Sequence, residues 1–224
     1  MTTQTPLAAR AERNLAEVRR RIQAAGREPD DVTIVAVTKN HGPETCRAAL
    51  AAGLTVLGEN RVQEALPKMA EVHGAEWHLI GHLQTNKARQ AGAFALVQSL
   101  DSVRLADVLA ERAPVPVLLE INVSREAEKH GVAPEEAEDV AAHVATRLEL
   151  RGVMGMGPLE GDPRPAFREL RELRERIEQR VGRALPILSM GMSGDFETAV
   201  QEGSTMVRLG TVLFGPRSVS HPVG

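Results

Sequence analysis

Eight short apolar segments alternate with stretches of helical periodicity along almost the whole chain, and this alternation constrains the fold most strongly. The first segment, residues 32–37, is a β-branched run typical of a buried parallel strand. The other strands are predicted over 55–58, 77–80, 95–99, 115–123, 150–155, 187–190 and 206–209. Helices are predicted over 43–52, 62–73, 83–91, 103–111, 134–146, 165–181 and 194–201.

Strands joined by helical crossovers form parallel sheets, and eight of them in a chain of 224 residues favour a closed barrel. An apolar stripe that starts at Leu7 and ends at Ala25 predicts one further helix before the first strand. The predicted fold is therefore α/β, a single (β/α)8 TIM barrel with an extra N-terminal helix, and residues 1–224 are expected to form one domain. A doubly wound open sheet is the alternative.

Composition excludes several classes of protein. The net charge of −3 predicts no broad attraction to nucleic acid, and apolar runs such as 114–119 are too short to span a membrane. The N-terminus lacks the apolar core of a secretory signal, and Cys46 alone makes an internal disulfide impossible. These features favour the cytoplasm.

A lysine directly follows the first predicted strand, in the run Val37-Thr38-Lys39. Barrel enzymes place their working residues at the carboxyl ends of the strands, so Lys39 is predicted to point its amine into the barrel mouth. Partial burial there would favour the neutral amine, which is the form that makes an imine. The alternative is a surface lysine at a strand edge.

Polar residues also follow the second and third strands. Asn60 is predicted either to bind a ligand hydroxyl or to cap the helix that begins near Arg61. His78 and His82 are four residues apart, but at a strand end this spacing does not bring two ligands together. With one cysteine and no supporting carboxylate pattern, no metal site is predicted.

Loops of small residues follow the last two strands. Ser193-Gly194-Asp195 comes after the seventh strand, and Gly210-Thr211 comes after the eighth. TIM barrels most often hold a phosphate with these two loops, because small residues let backbone N–H groups approach its oxygens. Ser193 and Thr211 add hydroxyl donors. A plain helix cap and a plain turn are the alternatives.

The predicted mouth thus offers an amine, a phosphate-binding pair of loops and an arginine, Arg208. An aldehyde that carries a phosphate fits this set, and pyridoxal 5′-phosphate (PLP) is such an aldehyde. Arg208 would donate to the pyridine nitrogen and leave it unprotonated, which makes the ring a weak electron sink. A Schiff-base lyase acting on a sugar phosphate fits the same residues, with Glu120 or Glu59 as its base.

Motifs along nearly the whole chain are similar to those of a known family. They are Val35-Ala36-Val37-Thr38-Lys39, Gly58-Glu59-Asn60-Arg61-Val62-Gln63-Glu64, Trp77-His78-Leu79-Ile80-Gly81 with Leu83-Gln84-Thr85-Asn86-Lys87, Ser189-Met190-Gly191-Met192-Ser193-Gly194-Asp195, and Arg208-Leu209-Gly210-Thr211 with Phe214-Gly215-Pro216-Arg217. On these motifs the chain resembles the pyridoxal phosphate homeostasis proteins, which adopt the single-barrel fold of the alanine racemase N-terminal domain. His82 stands where a proline is common in that family.

The resemblance implies specific roles at the mouth. Lys39 would hold PLP as an internal aldimine, Arg208 would face the pyridine nitrogen and Asn60 would lie beside the ring. The phosphate would be held by Ser193, Gly194, Gly210 and Thr211. The predicted cofactor site also includes His78 and Met190, which lie in the third and seventh strands.

The function implied by the resemblance is intracellular PLP homeostasis, in which the cofactor is held without robust catalysis and PLP-dependent apo-enzymes are partners. A slow PLP-dependent amino-acid racemase is the alternative. A two-base racemase needs a second proton-transfer group, which is a tyrosine in the alanine racemases, and this chain has no tyrosine. A histidine such as His78 or a cysteine would have to substitute, but Cys46 is expected to lie within the first crossover helix and to face the core. Since a second domain is also missing, a monomer is expected.

Overall fold

The computed structural model describes residues 5–216, so Arg217 of the last motif lies outside the described residues. Eight parallel strands form a closed barrel in chain order. They are Thr33–Val37 (β1), Val56–Glu59 (β2), Glu76–Leu79 (β3), Leu96–Leu100 (β4), Val117–Glu120 (β5), Leu150–Met154 (β6), Ile187–Ser189 (β7) and Met206–Leu209 (β8). β8 pairs with β1 and closes the barrel. The predicted (β/α)8 barrel is confirmed, and the open sheet is wrong.

Helices cover the outside of the barrel. They are Pro6–Ala24 (α1), Pro43–Ala51 (α2), Val62–Glu71 (α3), Val103–Arg112 (α4), Ala137–Arg147 (α5), Arg164–Val181 (α6), Phe196–Gln201 (α7) and Thr211–Phe214 (α8). The predicted N-terminal helix is α1, which packs against α2, α7 and α8. Its buried side includes Ala11, Val18 and Ile22 of the predicted stripe.

The core has two layers. A small cluster fills the inside of the barrel: Val35, Leu96, Leu118, Met154 and Met206. A much larger cluster lies between the strands and the helices. Because β1 and β5 are buried on both faces, they are apolar at nearly every position rather than at alternate ones.

The connection between β3 and β4 differs from the prediction. Residues 83–91 are predicted as an α-helix, but the structure forms a 3₁₀ helix over Thr85–Ala93. Its two buried residues, Ala88 and Ala91, are three apart, which matches the three residues per turn of a 3₁₀ helix. The predicted helix 134–146 likewise begins with a 3₁₀ turn at Pro134–Glu136 before α5.

Two further expectations can be checked against the fold. Cys46 is buried within α2. None of the helices found between residues 5 and 216 combines the length and the apolar character that crossing a bilayer requires. Since all eight strands run parallel, their carboxyl ends meet at one rim of the barrel, and the loops that follow them define its mouth.

Candidate cofactor-binding site

A cavity of about 450 Å³ opens at the carboxyl ends of the strands. Its size is in the range of small-molecule sites. Fifteen residues line it: Val37, Lys39, Asn60, Ile80, Gly81, His82, Glu120, His130, Met156, Met192, Ser193, Gly194, Arg208, Gly210 and Thr211. Seven of the nine predicted cofactor residues are among them, so residues far apart in the sequence converge as expected.

Lys39 lies two residues beyond the end of β1 and is half-buried. Its neighbours on both sides are anchored. The Thr38 carbonyl accepts a hydrogen bond from Lys68 Nζ at 2.9 Å, and the backbone N–H of Asn40 donates to the Glu64 carboxylate. Asn40 has a φ of 61°, an unusual conformation for a residue other than glycine. The backbone that presents Lys39 to the cavity is therefore held firmly.

Lys68 is the centre of that anchor, on the outer side of the barrel. Its side chain is only 6% exposed and donates to Glu59 and Glu64 at 2.8 Å each. Burial opposes charge on Lys68, yet these two hydrogen bonds leave its pKa raised. Burial also raises the pKa of Glu59, although Lys68 and Thr38 both donate to that carboxyl group. Glu59 does not line the cavity, which removes it as a candidate base.

Arg208 projects from β8 and is 5% exposed. Its guanidinium donates to the Ser189 carbonyl at 3.0 Å, the Ser189 hydroxyl at 2.8 Å and the Gly155 carbonyl at 3.0 Å. Burial lowers the pKa of Arg208 to about 10, so it remains cationic at neutral pH. A guanidinium carries five N–H groups, and three bonds to the protein leave donors for a ligand.

The loops after β7 and β8 are tied together by Ser193. Its hydroxyl oxygen accepts from the N–H groups of Gly210 at 3.4 Å and Val212 at 3.3 Å. The N–H groups of Gly194 and Thr211 donate to no acceptor within residues 5–216. At Gly194 an added Cβ would meet no atom within 4 Å, which leaves open space above the loop. Gly194 and Thr211 both line the cavity, so their backbone N–H groups are candidate donors to a ligand.

The structure also bears on side-chain capping, which is the simpler role for Asp195 and Asn60. α7 has Asp195 as its N-cap residue, and no side chain caps it. Asp195 instead accepts from the Met192 N–H at 2.6 Å. α3 has Arg61 as its N-cap residue, again with no side-chain cap, so Asn60 does not cap that helix. Asn60 lies on the cavity wall instead.

Two predicted residues do not line the cavity. His78 points into the barrel below the mouth, where its Nδ1 lies 2.9 Å from Gln98 Nε2 and its Nε2 lies 2.9 Å from Glu76 Oε1. Burial lowers the pKa of His78. Met190 packs in the outer core between strands and helices. Both belong to motif runs, but the ring of His78 is held below the mouth by Gln98 and Glu76, and Met190 faces the outer core.

Glu120 is not among the residues predicted to bind the cofactor, yet its side chain lines the cavity. It is the last residue of β5 and is 4% exposed. Burial raises the pKa of Glu120 to about 7, the nearby Asp101 carboxylate adds to the rise, and Arg208 opposes it. His82 and His130 line the same side of the mouth. These residues follow β3 and β5, and no motif spacing links them, because the barrel alone brings them together.

The residues at the mouth fit PLP. An amine, a buried cation and two backbone donors without a protein acceptor line one cavity, and they suit the aldehyde, the ring nitrogen and the phosphate of that molecule. The donors are neutral N–H groups or cations, as binding of a phosphate requires.

This barrel, with its lysine after β1 and its two small-residue loops, is of the class formed by the alanine racemase N-terminal domain. The sequence profile of the family described as alanine racemase, N-terminal domain, matches residues 9–218. The chain is 41% identical over 221 residues to the pyridoxal phosphate homeostasis protein of Aquifex aeolicus. The aligned residues cover 93% of this chain and 97% of that protein. The chain belongs to the pyridoxal phosphate homeostasis protein family.

Two further comparisons support this assignment. The homologue from Pseudomonas aeruginosa is 42% identical over 220 residues, with 92% of this chain and 94% of that protein covered. The structure of PipY from Synechococcus elongatus with PLP bound superposes with a TM-score of 0.81 at 34% identity, covering 92% of this chain and all of that one.

Proposed function

We propose that this chain binds PLP at the barrel mouth and acts in intracellular PLP homeostasis, holding the cofactor without robust catalysis. One observation carries the proposal: Lys39, Arg208 and the loops after β7 and β8 line a single cavity. The names of the relatives, and the PLP bound in PipY, support the same ligand.

Each of these residues has a defined part in the proposal. Lys39 would bond covalently through its amine to the aldehyde carbon of PLP, with loss of the aldehyde oxygen as water. The backbone N–H groups of Gly194 and Thr211 would hold the phosphate, with Ser193 and Gly210 fixing the distance between the two loops. Arg208 would donate to the ring nitrogen, and Asn60 would lie beside the ring.

Arg208 supports a carrier over a fast enzyme. When bound, PLP supplies an electron-withdrawing ring, whose strength depends on protonation of its nitrogen. A guanidinium with a pKa of about 10 keeps its proton at neutral pH, so it donates a hydrogen bond without protonating the ring. The absence of tyrosine from the whole chain removes the second base of the alanine racemases.

We further propose a cytoplasmic monomer that passes PLP to PLP-dependent apo-enzymes. Lys39 lies at the rim and is half-buried, which suits exchange of a cofactor with a second protein. The single cysteine, buried in α2, suits a reducing compartment.

Slow proton transfer on an amino acid is the second candidate function, and Glu120 favours it. A carboxyl group with a pKa of about 7 in the same cavity as Lys39 has the acidity of an effective general acid or base at neutral pH. Exchange of the α-hydrogen of alanine for deuterium, followed by NMR in the PLP-loaded protein, would reveal such an activity, and Glu120→Gln should abolish it.

The central test is reduction of the PLP-loaded protein with borohydride. We expect a yellow protein that bleaches, and peptide mapping should find a pyridoxyl group on Lys39. Lys39→Ala should lose the absorbance band and the adduct, while its circular dichroism stays unchanged because Lys39 lies at the rim.

Lys87→Ala, which alters a lysine outside the cavity, is the matched control and should behave as wild type. A pyridoxyl group on Lys68, Lys87 or Lys129 in place of Lys39 would overturn the assignment. A protein that stays colourless with added PLP would defeat the proposal and bring the sugar-phosphate lyase forward.

A further inference from the structure

Three residues from consecutive strand ends meet at the rim of the cavity. His82 follows β3, Asp101 follows β4, and His130 lies in the connection after β5. His82 Nδ1 is 2.8 Å from Asp101 Oδ2, and the rings of His82 and His130 stack with centroids 4.0 Å apart and planes 9° from parallel. One ligand atom from each residue lies within 4.8 Å of the others, and within residues 5–216 this is the one such group of three.

We propose that His82, Asp101 and His130 bind a divalent transition-metal ion of the zinc class. Two imidazoles with one carboxylate suit zinc and its neighbours, whereas Mg²⁺ and Ca²⁺ prefer oxygen ligands alone. Three protein ligands also leave a coordination position open, as in catalytic rather than structural zinc sites.

The separations fit a site that closes around the ion. Ligands of a tetrahedral zinc ion lie about 3.4 Å apart, because each bond is about 2.0–2.1 Å long. Since no pair of ligand atoms is more than 4.8 Å apart, no pair has to approach by more than about 1.4 Å. Both imidazoles are solvent-exposed and can rotate by that amount, His82 with a side chain that is 38% exposed.

Asp101 is the fixed member of the three. Its side chain is 12% exposed, and its Oδ1 accepts from the Ser102 hydroxyl at 3.2 Å. Oδ2 is thereby directed towards His82. Hydrogen bonds of this kind orient carboxylate ligands in metal sites and strengthen binding.

A second His–Asp pair of the chain lacks the third ligand. His143 Nε2 lies 2.8 Å from Asp107 Oδ1, the same separation as in the rim pair. There the next charged neighbour is Arg147, whose Nε lies 3.4 Å from the same Asp107 oxygen. A cation in the third place repels a metal ion, so His143 provides a matched control.

The ion would lie on the same cavity wall as His82 and His130, across the barrel from the loops after β7 and β8. Its open position can be filled by water or by a carboxylate of a small molecule in the cavity. This site goes beyond PLP homeostasis and needs no bound cofactor.

The test is calorimetric titration of zinc chloride into the full chain, stripped of metal with EDTA, dialysed and free of PLP. We expect one zinc ion per chain, with binding unaffected by millimolar Mg²⁺. His82→Gln, Asp101→Asn and His130→Gln should each weaken that binding at least tenfold, and His143→Gln should leave it unchanged. The exposed imidazoles make the two histidine variants safe for folding, which circular dichroism checks.

Either of two results would overturn the inference: wild type without saturable binding at one ion per chain, or His82→Gln and His130→Gln variants that bind zinc as wild type does. Because no PLP is present, the titration is independent of the proposed function. A chain that forms the Lys39 adduct but fails to bind zinc would contradict this inference alone.

Discussion

The two halves of the barrel mouth are built differently. The β7–β1 half, made of Lys39, Ser193, Gly194, Arg208, Gly210 and Thr211, is fixed by hydrogen bonds. Arg208 makes three of them and Ser193 joins two loops. The β3–β5 half, made of His82, Asp101, Glu120 and His130, consists of titratable side chains, and both of its imidazoles are exposed to solvent.

This difference suggests a division of labour. Backbone donors and a buried cation that are already positioned bind a ligand without a further cost in conformational entropy. Such groups suit a cofactor whose phosphate and ring nitrogen are always the same. Burial raises the pKa of the Glu120 carboxyl group to about 7, so that group responds to protons, and the proposed metal site responds to metal ions. Both properties suit control of what else enters the cavity. Three measurements sharpen or break this comparison.

The largest effect is expected from Lys68→Met, which tests how firmly the β1 side is held. The change leaves Glu59 buried without its cation, and breaking a buried ion pair in this way costs about 3–5 kcal/mol. Urea denaturation should report that loss in the free energy of unfolding. PLP affinity should also fall, because Thr38 and Asn40 beside Lys39 lose their anchor.

Arg151→Met is the matched control, since Arg151 pairs with Glu149 at 2.7 Å on the surface. Exposed pairs contribute little, so no measurable loss is expected there. A Lys68→Met variant as stable as Arg151→Met would show that the β1 side is not held by this network, and the contrast between the halves would weaken.

The second prediction concerns Glu120 and the pH dependence of stability. Its pKa is about 7 when folded and near the ordinary 4.5 when unfolded, so its contribution is complete below pH 4.5 and is lost as pH rises towards 7. That rise in pKa corresponds to about 3 kcal/mol. Urea denaturation of the PLP-free protein at pH 5 and pH 8 should show a smaller difference for Glu120→Gln than for wild type.

Glu160→Gln, which removes an exposed carboxyl group from the loop after β6, should keep the wild-type difference. The other ionisable groups are the same in all three proteins, so their contributions cancel in the comparison. Equal pH dependence in wild type and Glu120→Gln would mean that the pKa of Glu120 is not raised as proposed.

The sequence predicted the fold well because the barrel depends on a repeated local pattern. Eight largely apolar strand segments alternate with crossovers, most of which show helical periodicity, so the same signal is repeated along the chain. The exception is the 3₁₀ helix Thr85–Ala93. An α-helix is predicted there, but the segment buries Ala88 and Ala91, which are spaced as in a 3₁₀ helix.

Residues of the site could be predicted only where a reactive or phosphate-binding group directly follows a strand in the sequence. Lys39 and the two small-residue loops meet that condition. Lys68 does not: with Glu64 it has the spacing of an exposed helical ion pair, and only the structure reveals that both reach under β1. His82, Asp101 and His130 come from three separate connections, so their meeting depends on tertiary structure alone.

The smallest effect is expected from Gly194→Ala, which tests whether the β7–β1 half is the one that binds the phosphate. An added Cβ meets nothing within 4 Å and the backbone is not left-handed, so stability should not change. A methyl group would instead occupy the open space at the Gly194 loop, and PLP affinity should fall about tenfold, or about 1.4 kcal/mol.

Absorbance titration with PLP measures this affinity. Gly92→Ala, whose Cβ would lie 3.4 Å from Ala113, is the control away from the mouth. Unchanged PLP affinity in Gly194→Ala would show that the phosphate does not bind at this loop. The β3–β5 half, with its exposed imidazoles, would then become the candidate phosphate site.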